Sequence, residues 1–184
     1  MPEDLIVQQC SPTLAGLKTG NLFSCPFRTE AELRADIADL NRRLAPKGVR
    51  VCILRLQKRA LLYFYRPSSL RRDFGTAEVA ALLKEYGYAA DDAEACIRQL
   101  RARIAGASGF PHEIGLFLGY PAEDVRGFIE NRSDGCKCVG TWKVYGDEAA
   151  ARKRFALYEK CTRIYQARYS EGNSIVRLTV PSGS

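Results

Sequence analysis

The one histidine in this 184-residue sequence, His112, stands directly before a carboxylate, Glu113, in Phe110-Pro111-His112-Glu113-Ile114-Gly115-Leu116-Phe117-Leu118-Gly119-Tyr120-Pro121. An imidazole titrates near neutrality, so it can serve as acid, base, ligand or hydrogen-bond donor. Adjacent helical side chains project about 100° apart, so His112 and Glu113 can address one ligand only from the end of a helix. There, free N–H groups and the dipole favour an anion. The plainer alternative is that His112 caps or packs in a helical hairpin while Glu113 satisfies the exposed first turn in which both residues lie.

Three other clusters carry chemistry. Cys10 immediately precedes Ser11-Pro12, which read as the N-cap and first residue of a helix. A thiol at a helix N-terminus can have a lowered pKa, and beside His112 it would make a nucleophile–base pair. Thr13, Lys18 and Asn21 fall in and around the glycine-flanked loop 16–20. Backbone amides there, with Lys18 near, can cradle a phosphate or carboxylate. No GK[ST] or GxGxxG pattern is present, and a purely structural turn is the simpler account. Cys136-Lys137-Cys138 is a CxC with no clean second pair elsewhere, which argues against structural zinc. No metal ligands and no cofactor are assigned.

The elements that must position these residues are partly visible in the pattern. Leu33, Ile37, Leu40 and Leu44 recur at helical spacing over 30–44, and Pro46-Lys47-Gly48 ends the run. Segments 49–56 and 60–65 are apolar and flank Gln57-Lys58-Arg59, the pattern of a β-hairpin whose strands are central in a covered sheet. Helical patterns cover 76–86, 91–104 and 147–169, and 111–130 forms a helical hairpin. Segment 10–27 reads as a Pro/Gly-punctuated stretch, 139–145 as a strand with the single Trp, and 174–180 as a final strand. The expected fold is α+β: a mostly antiparallel sheet of about four strands covered by helices, in one domain over 1–184.

Composition narrows the class. Hydrophobic residues make up 46% and charged residues 27%, which fits a globular chain, and no apolar run reaches the ~20 residues of a membrane span. Without a secretory pattern at the N-terminus, the location expected is the cytoplasm, and the seven cysteines are expected as thiols. Cys52, Cys96 and Cys161 lie in apolar periodic segments and are expected in the core. A net charge of +7 favours acidic partners: a small anionic ligand, an acidic protein or nucleic acid. The hairpin fits a helix-turn-helix template in its apolar and glycine positions. Its second helix, Pro121-Ala122-Glu123-Asp124-Val125-Arg126-Gly127-Phe128-Ile129-Glu130, carries three acids against one base, which disfavours a duplex.

Several phrases together resemble a known family: Cys10-Ser11-Pro12-Thr13-Leu14-Ala15-Gly16-Leu17-Lys18 with Gly20-Asn21-Leu22-Phe23, His112-Glu113-Ile114-Gly115 with Leu118-Gly119-Tyr120-Pro121, Gly140-Thr141-Trp142-Lys143-Val144-Tyr145-Gly146, and Lys160-Cys161 with Tyr165 and Leu178-Thr179-Val180. In this order, over residues 5–180, the chain is similar to the bacterial domain-of-unknown-function 3793 family. The resemblance implies no reaction and hands over no catalytic residues. The expectation is therefore a protein that binds a small anionic ligand or partner, through the 10–23 loop (Thr13, Lys18, Asn21) and the start of the 111–118 helix. If it does chemistry, His112 is the acid/base with Glu113 beside it, and Cys10 is the nucleophile or redox thiol. Whether it is an enzyme stays open. The alternatives are a nucleic-acid-binding regulator using 111–130, and a redox or iron-linked accessory protein using Cys10, Cys136 and Cys138.

Overall fold

A computed structural model describes residues 2–106, 110–132 and 134–182. The chain divides into two compact units, residues 1–69 with 160–184, and residues 70–159.

The first unit is built on a three-stranded antiparallel sheet in the order β1 (Gly20–Cys25), β3 (Ala60–Tyr65), β2 (Arg50–Leu56). All six residues of β3 are buried, as its unbroken apolar run requires of a central strand. The hairpin forms as expected, with Val51 opposite Phe64 and Ile53 opposite Leu62. Only β3 is central, however: β2 is an edge, and it keeps Cys52 half-exposed rather than in the core. Helix α1 (Glu3–Leu14) contributes Ile6, Cys10 and Leu14 to the core, and α2 (Glu30–Leu44) contributes Leu33, Ile37, Leu40 and Leu44. The Thr29 side chain caps α2 by accepting from Glu32 N at 3.2 Å.

Three local expectations are corrected in this unit. Ser11-Pro12 does not open a helix; both residues lie inside α1, with the Ser11 hydroxyl bonded back to the Val7 carbonyl. Pro12 removes the one bond its N–H would have made to the Gln8 carbonyl, and α1 ends two residues later. Residues 20–25 form a strand, β1, paired through its whole length to β3. Residues 174–180 do not form a strand: α9 (Ile175–Leu178) is a single helical turn capped by Ser174, since so short an apolar run fits either period.

The second unit is mainly helical. It contains α4 (Ala77–Glu85), α5 (Ala93–Gly106), α6 (Ile114–Phe117) and α7 (Ala122–Asn131), with a ribbon of β4 (Cys138–Val139) and β5 (Lys143–Val144). The 139–145 strand is thus two short arms turning at 140–142. Helix α3 (Pro67–Phe74) enters the unit and α8 (Glu148–Ser170) leaves it. Buried Phe117 packs against Phe74 and Tyr88, with ring centroids 5.1 and 5.5 Å away. The helical hairpin is present. Gly119 makes its turn at φ +75°, and Gly115 lets α6 approach α7 so closely that a Cβ there would lie 2.7 Å from Val125 Cγ2.

Candidate ligand site

The site is organised by Asp124, in the acidic first turn of α7 and only 3% exposed. One of its carboxylate oxygens, Oδ2, accepts from Trp142 Nε1 at 2.7 Å. The other, Oδ1, accepts from the backbone N–H groups of Tyr145 (2.7 Å) and Gly146 (2.8 Å). Three donors on one buried carboxylate fix the ribbon against α7. Trp142 is held on its other side by Tyr120, with ring centroids 4.8 Å apart, and by Phe155 at 4.6 Å.

Between ribbon and hairpin lies a cavity of about 290 Å³, with walls from Phe110, Ile114, Tyr120, Val125, Phe128 and Trp142. It is small for a ligand pocket, about the size that encloses a ring. Two further lining side chains are hydrogen-bond donors, and both converge on Phe128. Lys143 Nζ lies 5.3 Å from the Phe128 ring centroid, and the His112 imidazole stands perpendicular to that ring at 5.0 Å.

His112 and Glu113 diverge. His112 is exposed and borders this cavity, whereas Glu113 is 2% exposed, against the expectation that both occupy an exposed turn. Glu113 Oε1 accepts from Tyr88 OH at 3.0 Å and from Arg103 Nε at 2.8 Å. The Arg103 guanidinium also donates to Tyr86 O at 3.0 Å and lies over the Tyr88 ring at 5.4 Å. This network borders a second cavity of about 280 Å³, lined by Tyr86, Arg103, Phe110, Pro111, His112, Glu113 and Ile129. Helix α6, at four residues, is a single turn in which His112 and Glu113 precede the helix proper.

Cys10, Thr13, Lys18 and Asn21 belong to the first unit, and His112 and Glu113 to the second. Cys10 lies within α1 at 0% exposure, and burial pushes its thiol well above the ordinary range, with nearby Lys18 opposing. The premise of an activated thiol at a helix start is therefore overturned. Thr13 Oγ1 and Asn21 Oδ1 are joined at 2.7 Å, tying the end of α1 to β1. Lys18 is 5% exposed, with Nζ donating to Gly20 O at 2.7 Å, and burial lowers its pKa to about 8.

A lysine with a depressed pKa destabilises the fold while it is charged. Below about pH 8 it is protonated in both states and the penalty is complete. Between about 8 and 10.5 only the unfolded chain keeps the proton, so this contribution to stability rises with pH. The buried thiols Cys10, Cys96 and Cys161, whose pKa values are raised, work in the opposite direction, so the comparison must be between variants. From pH 7 to 10.5 the parent is expected to gain about 3 kcal/mol relative to Lys18→Met, read by denaturant unfolding at each pH. A difference independent of pH would contradict a buried, titrating Lys18.

On α7 the exposed side chains are Glu123, Arg126, Glu130 and Asn131, and Arg126 is paired with Glu85 at 2.8 Å and with Glu130 at 3.9 Å. Cys136 and Cys138 are half-exposed on the ribbon. Among the described residues no three His, Cys, Asp or Glu side chains gather as a metal-holding group. No helix among them is long and apolar enough to cross a membrane. Asp124, Phe128, Trp142, Lys143 and Arg103 were not singled out from sequence. The single Trp, noted within the 139–145 strand pattern, was the one available signal.

A family model described as "Protein of unknown function (DUF3793)" matches residues 6–179. No curated protein and no solved structure matches the chain.

Proposed function

We propose, for a chain that belongs to the DUF3793 family of proteins of unknown function, that its second unit is a small-ligand binding module. The ligand is an anionic molecule with a flat apolar ring. The ring occupies the cavity between α7 and the ribbon, Lys143 supplies the positive charge that favours an anion, and His112 offers a hydrogen-bond donor beside it. One observation carries this reading: an aromatic-walled cavity whose two donor side chains, the Lys143 ammonium and the His112 imidazole, both converge on Phe128. Asp124 also lines it, and three donors, the Trp142 indole and the Tyr145 and Gly146 amides, offset part of its charge. The net charge of +7 acts in the same direction at longer range. Glu113 is read as structural, since Tyr88 and Arg103 hold it. A duplex-binding reading of the hairpin has less support, because α7 would present Glu123, Glu130 and an already paired Arg126 to phosphates.

The single Trp makes the test direct. Titration with benzoate and phenylacetate is expected to change Trp142 fluorescence saturably, whereas acetate, which carries the charge without the ring, should not. Phe128→Ala is expected to weaken binding at least about tenfold, through loss of the ring that organises both polar groups. Equal responses to acetate and phenylacetate would contradict the proposal.

A further inference from the structure

We infer that the ligand is extended and is held at two points, its ring in the aromatic cavity and a carboxylate head beyond His112 at Arg103. This rests on the ring-binding reading above and adds the position of the head and the class of molecule: an aryl-alkanoic acid with a spacer between ring and carboxylate. Phe110 and His112 line both cavities, so the two spaces adjoin at these side chains. Both side chains are exposed, Phe110 at 39%. An apolar ring on one side and a guanidinium on the other thus flank one imidazole.

Arg103 suits this role because its orientation is already set. Glu113 holds Nε, the Tyr86 carbonyl holds Nη1, and the Tyr88 ring supports the guanidinium face. Nη2 makes no hydrogen bond among the described residues, and the side chain remains 38% exposed. Fixing a guanidinium before the ligand arrives removes ordering entropy from the binding step. Lys143 is less suited to anchor the head, since its ammonium is drawn to the face of Phe128. Glu113 balances the charge of Arg103, so the pair alone does not select a full anion. His112, between the two spaces, supplies a donor that a carboxylate can share with Nη2.

The test is a calorimetric series on the full chain: benzoate, phenylacetate, phenylpropionate and phenylbutyrate, each beside the alcohol of equal length. Affinity is expected to rise along the acids and to exceed that of the matched alcohols at the longer spacers. Arg103→Gln is expected to lower phenylbutyrate affinity at least about tenfold and to leave benzoate within about twofold. Ile129→Trp, which fills the second cavity while leaving the Arg103 side chain itself unaltered, should likewise reject phenylbutyrate and keep benzoate. Should Arg103→Gln fail to fold, the Ile129 variant alone decides. Binding of every acid with no dependence on spacer or on either substitution would overturn the two-point site and leave the ring pocket standing. Binding of none of the probes would instead remove the ring-binding reading itself.

Discussion

Asp124→Ala is expected to destabilise the protein by about 3–5 kcal/mol. The carboxylate is buried and accepts from Trp142 Nε1, Tyr145 N and Gly146 N, all at 2.7–2.8 Å. Removing it leaves three donors without their acceptor, and hydrogen bonds to a charged group contribute about 1.5–3 kcal/mol each. The three share one site and water can enter, so they do not add in full. Asp124→Asn separates the contributions. Its amide oxygen can still accept from the two backbone groups, but its NH₂ then faces the indole N–H, donor against donor. That variant is expected to lose about 1–3 kcal/mol and to shift Trp142 emission to the red, while alanine lowers the unfolding midpoint further. Equal stability of all three proteins in urea would contradict the role given to this carboxylate.

Arg66→Met is expected to cost about 2–4 kcal/mol in the first unit. Arg66 is 2% exposed, and its guanidinium donates to Thr13 O and Leu14 O at 2.6 Å, to Val180 O at 2.7 Å and to Ser182 Oγ at 3.1 Å. It joins the last carbonyls of α1 to the C-terminal segment, where the helix dipole favours a cation. Burial lowers its pKa, with Tyr165 opposing, so the charge carries a desolvation penalty that methionine would remove. The net loss is smaller than the bond count suggests for a second reason. Leu14 O also accepts from Val180 N at 2.9 Å, and Thr13 O from Gly16 N at 3.1 Å. Arg66→Lys is expected to recover less than half of the loss, since one ammonium cannot reach all four acceptors. Urea midpoints and proteolysis after residue 178 would measure both, and a lysine variant as stable as the parent would contradict this account.

What could be read beforehand follows from how local each cause is. Helix α2 was legible because Leu33, Ile37, Leu40 and Leu44 state its buried face, and Pro46-Lys47-Gly48 its end. The β2–β3 hairpin was legible from two apolar runs around a charged turn. Strand β1 was not, because Gly20, Asn21 and Ser24 are weak strand formers and their conformation comes from pairing with β3, about 40 residues away. Pro12 suggested a helix start because proline favours that position, and nothing local states that α1 has already run nine residues. At the candidate site His112 was visible as the single imidazole. The cavity beside it was not, since Asp124 reaches Trp142, Tyr145 and Gly146 across 18 to 22 residues of sequence. Glu113 was misplaced for a related reason: its burial depends on Tyr88 and Arg103, which no spacing rule connects to it.

The Trp142 indole N–H gives one resonance in a ¹H–¹⁵N correlation spectrum, because the chain contains a single tryptophan. That group sits in the cavity wall with its hydrogen bond to Asp124. Titration of the protein with phenylbutyrate is predicted to move this cross-peak along a saturable curve, and Phe128→Ala to weaken that curve at least about tenfold. A cross-peak that stays in place while the acid is raised to millimolar concentration would contradict ligand binding in the aromatic cavity.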